Sequence, residues 1–220
     1  MDELSTQETS LDGLIERARA LAVSGERHIL GITGAPGSGK STVAAQIVEA
    51  LGPEVAVLVP MDGFHLANEV LVSLGRRDRK GAPDTFDDVG YANLITAMHS
   101  QRSGPSGRKA PILYAPRFRR EIEEPIASSI PVHADVPLVV TEGNYLLLDS
   151  GAWPQARAAI DEVWLLTLPT SERHERLVRR HEAYGKSPDD ARHWTLGSDE
   201  RNAEVIMSTA YRADLVLRLS

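Results

Sequence analysis

Residues 31–42 read Gly31-Ile32-Thr33-Gly34-Ala35-Pro36-Gly37-Ser38-Gly39-Lys40-Ser41-Thr42. They follow an apolar run and open a segment with helical spacing, so the frame Gly34-x4-Gly39-Lys40-Ser41 lies at a strand-to-helix turn. Glycines in such a turn let successive backbone N–H groups converge on phosphate oxygens, and the helix N-terminus favours negative charge. The sequence therefore predicts a phosphate-binding loop rather than a glycine-rich turn that only caps a helix.

This loop predicts a nucleotide site with magnesium. Lys40 would reach the outer phosphates, and the Ser41 hydroxyl would ligate the metal ion. The residues predicted to contact the nucleotide here are Gly34, Ala35, Pro36, Gly37, Ser38, Gly39, Lys40, Ser41 and Thr42.

Composition narrows the class of protein. A chain of 220 residues forms one domain, or one domain with an insertion, and its net charge of -7 argues against nucleic acid as the main partner. The absence of cysteine excludes disulfides, thiolate metal sites and cysteine nucleophiles. The first ten residues are polar and acidic, and no apolar run has the length of a membrane span. We expect a cytoplasmic protein with no membrane partner.

The apolar runs predict an α/β fold with a parallel sheet. Strand His28–Thr33, helix Lys40–Leu51 and strand Val55–Pro60 form one βαβ unit, preceded by an amphipathic helix over residues 11–24. Three further strands and a short helix complete the pattern: Val136–Gly143, Ala152–Ile160 (helix), Asp161–Pro169 and Asp214–Leu219.

Asp62 follows the second strand of this unit. Ligands bind beyond the carboxyl ends of parallel strands, so Asp62 should lie near the phosphates, where its carboxylate could accept a proton from an attacking hydroxyl. The alternative is that Asp62 caps a helix over Leu66–Leu74.

Residues 75–132 predict an insertion on the substrate side. Residues 75–90 form a charged loop whose basic cluster, Arg76–Lys80, either recognises an anion or is a solvated surface. Tyr91–Gln101 indicates a helix and Arg102–Lys109 a flexible turn. Two prolines in residues 110–120 suit an appended hairpin or flap, and Ile122–Val132 is expected to be short and irregular.

Two later features are typical of a nucleotide site. Glu142 ends a buried strand, where an acid can hold magnesium through water, or it is structural. In the helix Ser171–Ala183, with Ser171 as N-cap, Arg173, Arg176 and Arg180 share one face. That face would meet a polyphosphate, or it is solvated and partly neutralised by nearby glutamates. A polar helical segment and a helix over Leu196–Ala210 follow.

These motifs, with Asp62-Gly63-Phe64 and Glu142-Gly143-Asn144-Tyr145, make the chain resemble the phosphoribulokinase, uridine kinase and type I pantothenate kinase superfamily. The resemblance extends from about Ile29 to Leu219. Arg79-Lys80-Gly81-x-Pro83 is similar to pantothenate kinase, and Asp84-Thr85-Phe86-Asp87 is similar to the substrate loop of uridine kinase. The whole chain most resembles bacterial nucleoside/nucleotide kinase family members, some named fructose transport system kinases.

The resemblance implies a P-loop NTPase fold, three-layer α/β/α with a central parallel sheet, in one domain with a helical lid at about residues 171–197. It implies an ATP- and magnesium-dependent kinase that phosphorylates a hydroxyl of a small metabolite, which is a nucleoside, a pantothenate-like compound or a sugar. It also implies that the protein forms a homodimer. The implied catalytic residues are Asp62, Lys40, Arg176 and Arg180, with Ser41 and Glu142 at the metal. Asp199 and Asn202 resemble a family segment beside the nucleotide. The implied substrate-binding residues are Asp62, His65, Asp87, Tyr114, Arg117, Asn144 and Tyr145.

Two other functions stay open from the sequence. An ATPase or nucleotide switch that acts on a protein partner would share the phosphate loop and the magnesium acid. A nucleoside monophosphate kinase would need a second phosphate site, for which Arg117, Arg119 and Arg120 are available.

Overall fold

The structure is a computed structural model that describes residues 6–23, 26–102 and 110–219. Its strands are β1 (Gln7–Thr9), β2 (His28–Gly34), β3 (Ala56–Pro60), β4 (Leu113–Arg119), β5 (Glu124–Val132), β6 (Leu138–Glu142), β7 (Glu162–Thr167) and β8 (Leu215–Leu219). Its helices are α1 (Leu11–Leu21), α2 (Lys40–Leu51), α3 (Asn68–Ser73), α4 (Asp88–Ser100), α5 (Trp153–Ala158), α6 (Thr170–Ala183), α7 (Pro188–Trp194) and α8 (Glu200–Met207).

Six of these strands form one parallel sheet in the order β1-β8-β7-β2-β6-β3. Alternate residues of β2 enter different apolar clusters. Leu30 packs with α1 and α2 on one face, whereas Ile29 packs with α4, α5 and α8 on the other. Because both faces are covered, the central strands are mostly apolar and almost entirely buried. The predicted α/β fold, three layers with a central parallel sheet, is confirmed.

The register of the sheet sets the position of the site. Ile32 on β2 pairs with Glu142 on β6, and Pro60 on β3 pairs with the same glutamate. The carboxyl ends of these three strands therefore lie side by side. The phosphate loop, Glu142 and Asp62 meet at this one edge.

Strands β4 and β5 form an antiparallel hairpin outside the main sheet, as the two prolines indicated. The expectation of an irregular piece at 122–132 was wrong, since nine of these residues form β5. Pairing shifts register between Ala115 and Arg117, and Ser128 opposite them has a φ of 55°. Prolines and serines in β5 interrupt the alternation by which a strand is recognised.

Several boundaries differ from the predicted ones. Helix α4 begins at Asp88, three residues early, because Asp87 caps it by accepting from the Gly90 N–H at 2.8 Å. Helix α6 begins at Thr170 with Pro169, not Ser171, at the N-cap. Strand β1 was missed because its three residues are polar and exist as a strand only through pairing with β8. The turn predicted at 102–109 lies outside the described residues except for Arg102.

Within the residues that the structure describes, the helices are too short or too polar to cross a bilayer.

Candidate active site

The phosphate loop is shaped by glycines in backbone conformations that other residues rarely adopt. Gly37 has a φ of 84°, and a Cβ there would lie 2.9 Å from Leu177 Cγ and 3.0 Å from the Arg173 carbonyl. A Cβ on Gly34 would lie 2.6 Å from the Leu166 carbonyl oxygen. The loop is therefore packed directly against α6 and the end of β7, with no room for side chains at these positions.

Behind the loop, Ser41 Oγ donates a hydrogen bond to Glu142 Oε2 at 3.0 Å. Burial, together with nearby Asp62, raises the pKa of Glu142 to about 7, although Lys40 and the Ser41 hydrogen bond act against this rise. Burial lowers the pKa of Lys40, and the carboxylates of Glu142 and Asp62 oppose that shift. Two acids and one lysine thus share a poorly solvated space at the edge of the sheet.

Asp62 lies in a 3₁₀ turn, Met61–Phe64, directly after β3. Helix α3 begins only at Asn68, and its N-cap residue is Ala67, so the alternative in which Asp62 caps this helix is wrong. The Asp62 carboxylate lines a cleft, one third exposed, with Oδ2 3.6 Å from Arg120 Nη2. Arg120 thus pairs with Asp62 by charge and without a hydrogen bond, and the partly exposed carboxylate stays open to a ligand.

His65, also on the cleft wall, is packed among aromatic rings. Its ring stacks on Phe86 with centroids 4.0 Å apart and lies 4.9 Å from the ring of Phe118. Burial lowers the pKa of His65 to about 4, although Asp62 opposes the shift. The imidazole is neutral at pH 7 and could accept or donate one hydrogen bond to a ligand.

The cleft has a volume of about 460 Å³ and lies between the phosphate loop, the hairpin and the segment of residues 180–202. It brings together eight residues that were predicted from the sequence: Pro36, Lys40, Ser41, Asp62, His65, Asn144, Arg180 and Asn202. The other loop residues, Gly34, Ala35, Gly37, Ser38, Gly39 and Thr42, shape the loop without lining the cleft. Glu142 lies behind Ser41.

Four predicted substrate residues lie outside the cleft. Asp87 is occupied as the cap of α4. Tyr145 is buried, and its hydroxyl donates to the Gly81 carbonyl at 2.5 Å, so it positions the loop instead of touching a ligand. Tyr114 and Arg117 are exposed on β4, where the register shift changes which residues face inward. Phe118 and Arg120 line the cleft in their place.

The arginines of α6 also separate. Arg173 is buried and pairs with Glu200 of α8, so it holds two helices together. Arg176 pairs with Glu172 at 2.7 Å and lies over the loop, with Nη1 3.5 Å from where a Cβ of Gly39 would be. Arg180 lines the cleft and forms no ion pair among the described residues. Arg173, Arg176 and Arg180 therefore share one helical face but lie in three different environments.

Sequence reasoning missed four residues that line the cleft at residues 181–194, namely His181, Tyr184, Lys186 and Trp194, whereas Asp199, which resembles a family residue beside the nucleotide, lines the cleft as well. His181 Nε2 lies 2.7 Å from Asp199 Oδ2, which joins α6 to the π-helical turn Thr195–Asp199. Lys186 Nζ lies 4.4 Å from the centre of the Trp194 ring. In the sequence, the aromatic residues Tyr184 and Trp194 within an otherwise polar segment are the only feature that could have predicted these contacts.

Residues 29–152 match the sequence profile of the Phosphoribulokinase / Uridine kinase family. The chain belongs to this family. It is accordingly an ATP-dependent phosphotransferase with a hydroxyl acceptor, and the predicted resemblance is confirmed.

Individual relatives support the assignment. A candidate uridine kinase of Schizosaccharomyces pombe is 30% identical over 96% of this chain and 91% of its own length. A candidate fructose transport system kinase of Silicibacter sp. TM1040 is 33% identical, with a TM-score of 0.81 over 94% of this chain and 98% of that one. YFH7 of Saccharomyces cerevisiae, at 16% identity and a TM-score of 0.78 over 96% and 99% of the two chains, shares the fold.

We expect Gly63→Ala to displace the hairpin from the kinase site. A Cβ on Gly63 would lie 2.4 Å from the Pro116 carbonyl oxygen, so β4 must move away from Asp62. Overpacking of this kind costs about 1–3 kcal/mol of unfolding free energy. Thermal unfolding and acceptor-dependent turnover should both fall. Gly197→Ala is the control, because a Cβ there meets nothing within 4 Å; equal behaviour of the two variants would contradict the packing argument.

We expect His181→Ala to weaken ATP binding by about 5-fold or more, since it leaves the mostly buried Asp199 carboxylate without its hydrogen bond. Nucleotide titration measures the change in Kd. Arg179→Ala, which removes an exposed pair with Glu175, is the matched control on the same helix. An unchanged Kd in His181→Ala would show that this contact does not hold the lid.

Proposed function

We propose that the protein transfers the γ-phosphoryl group of ATP to a hydroxyl of a small metabolite, with Asp62 as general base. The observation that carries the proposal is that Asp62 and Lys40 line the same cleft, one on the acceptor side and one in the phosphate loop. A carboxylate that faces the phosphate loop across the cleft suits removal of a proton from an acceptor hydroxyl, a step that a nucleotide switch does not need.

Phosphoryl transfer depends mainly on positioning and on neutralising charge. Lys40 and Arg180 would bind the outer phosphates, and Arg176 would close over the loop from α6. Asp62 would accept the proton of the attacking hydroxyl. His65 and Asn144, both on the cleft wall, would orient that hydroxyl group, and Asn202 would lie beside the nucleotide.

The residues present fit a magnesium ion at Ser41 and Glu142. Both offer oxygen, the ligand that magnesium prefers, and their oxygens lie 3.0 Å apart. Glu142 is buried and forms no ion pair within 4 Å with any described residue, although Lys40 is near enough to lower its pKa. Bound magnesium would supply neutralisation of the phosphate charge. The described residues include no group of three or more acids and histidines for a metal, so phosphates and water would complete the ligand set.

The acceptor classes proposed from the resemblance are nucleosides, pantothenate-like compounds and sugars. No direct substrate contact is proposed for Asp87, Tyr114, Arg117 or Tyr145, because they lie outside the cleft. A homodimer and a cytoplasmic location stay predictions.

An ADP-release assay over a panel of acceptors tests the proposal. The panel contains uridine, pantothenate, fructose, ribose 5-phosphate, D-glycerate and uridine monophosphate. We expect at least one compound to accelerate ADP formation about 10-fold or more above ATP alone, within the usual contribution of substrate positioning. If only a protein partner accelerates it, the switch alternative is correct; if only a monophosphate nucleotide does so by accepting on its phosphate, the enzyme is a nucleotide kinase.

A further inference from the structure

The cleft is lined mainly by cationic side chains, although the protein as a whole is acidic. The whole chain carries a net charge of -7, yet six cationic side chains line the cleft against three acidic ones. The cations are Lys40, Arg77, Lys80, Arg120, Arg180 and Lys186. ATP accounts for those on the loop and lid, namely Lys40, Arg180 and Lys186. The other three lie on the acceptor side, where ATP phosphates are not expected.

The basic cluster at residues 76–80 is divided by its contacts. Arg76 and Arg79 both pair with Asp84, at 3.4 and 2.6 Å, and lie outside the cleft. Arg77 and Lys80 line the cleft, and Arg77 forms no ion pair with any described residue. The solvated-surface interpretation therefore fits two of these residues, and the other two face a ligand space.

Lys80 fixes this wall of the cleft. Its Nζ donates to Asn68 Oδ1 at 2.8 Å and to the Glu123 carbonyl, and lies 5.0 Å from the centre of the Phe118 ring. The Asn68 N–H donates to the Glu124 carboxylate at 3.0 Å. These contacts tie the loop to the hairpin, so the cationic groups at this end stand on a defined scaffold.

Arg120 brings positive charge next to the acid assigned as base. It lies in the turn that follows β4 and lines the same cleft as Phe118, and its Nη2 is 3.6 Å from Asp62 Oδ2, beyond hydrogen-bond distance. A hydroxyl bound at Asp62 would therefore have a guanidinium within the reach of a small molecule. Guanidinium groups bind carboxylates and phosphates through paired, charge-assisted hydrogen bonds.

We infer that the acceptor carries an anionic group, a carboxylate or a phosphate, that Arg77 and Arg120 bind at the hairpin end of the cleft. This inference rests on the proposed function and narrows it to hydroxy acids or phosphorylated hydroxy compounds. Neutral nucleosides and free sugars are then poor acceptors.

Matched pairs of acceptors test the inference. The pairs are D-glycerate with glycerol, pantothenate with pantothenol, and ribose 5-phosphate with ribose. In at least one pair the anionic member should have a kcat/KM about 10-fold to 100-fold above the neutral one, as charge-assisted hydrogen bonds allow. The first two pairs report on a carboxylate and the third on a phosphate.

Arg77→Gln should lower kcat/KM for that anionic acceptor about 10-fold, with the KM for ATP unchanged and the poor neutral acceptor unaffected. Arg120→Gln should act in the same direction. Arg79→Gln is the control and should behave as wild type, because Arg79 lies two positions from Arg77, pairs with Asp84 and does not line the cleft. Thermal unfolding of each variant shows that the protein is folded.

The possible failures differ from one another. If a neutral acceptor equals or exceeds its anionic partner and Arg77→Gln loses no activity, the inference is overturned while the kinase stands. If no compound accelerates ADP formation, the proposed function fails, and this inference fails with it.

Discussion

Asp62→Asn is expected to lower acceptor-dependent kcat by about 10²–10⁴-fold, the range usually lost with a general base. Asparagine has the same shape, so the 3₁₀ turn Met61–Phe64 should persist, but its amide cannot take a proton from the hydroxyl. The Kd for ATP should change by less than about 3-fold, because Asp62 serves the acceptor side of the cleft. A coupled assay with an active acceptor gives kcat, and nucleotide titration gives Kd.

Asp149→Asn is the control for this variant, since Asp149 is exposed and does not line the cleft. Undiminished acceptor-dependent turnover in Asp62→Asn would remove Asp62 from the role of base. A parallel loss of ATP binding would instead place Asp62 at the metal with Glu142.

Lys40→Met is expected to lower kcat/KM for ATP by about 10²–10³-fold, the scale seen when one preorganised charge at a transferring group is removed. Lys40 lies in the space shared by Glu142 and Asp62, and both carboxylates raise its pKa against the effect of burial. Methionine keeps most of the volume but leaves the phosphates without this cation. Steady-state kinetics with varied ATP measures the loss.

Lys186→Met provides the comparison for Lys40→Met. Lys186 also lines the cleft, but it lies over the Trp194 ring on the lid, and its removal should cost less than about 10-fold. If kcat/KM for ATP falls equally in the two variants, Lys40 contributes only to the overall positive charge of the cleft and has no specific role at the phosphates.

The sequence predicted the part of the site that depends on strand ends. Continuous apolar runs such as residues 55–60 are typical of parallel strands covered on both faces. Once those strands were recognised, the edge shared by Lys40, Asp62 and Glu142 followed from the rule that ligands bind beyond carboxyl ends. Local sequence sufficed because Glu142 ends its strand and Asp62 and Lys40 follow theirs within about six residues.

The acceptor side could not be predicted in the same way. Arg117 was expected to face the substrate, but it is exposed after the register shift in the hairpin, and Arg120, in the turn after β4, lines the cleft instead. Asp87 was expected to bind substrate, yet it caps a helix whose start was not recognised. Arg173 shares a helical face with Arg180, but Glu200, 27 residues later, draws it into the interior. Each outcome depends on a partner distant in sequence or on a boundary that spacing does not show.

The fate of the γ-phosphoryl group tests the central claim most directly. The protein, ATP labelled at the γ-phosphate and the best acceptor of the panel are incubated, and labelled products are separated. The account predicts one labelled phosphate ester of the acceptor for each ADP formed, and loss of that ester in Asp62→Asn. Labelled inorganic phosphate as the sole product, formed at the same rate with or without acceptor, would contradict it.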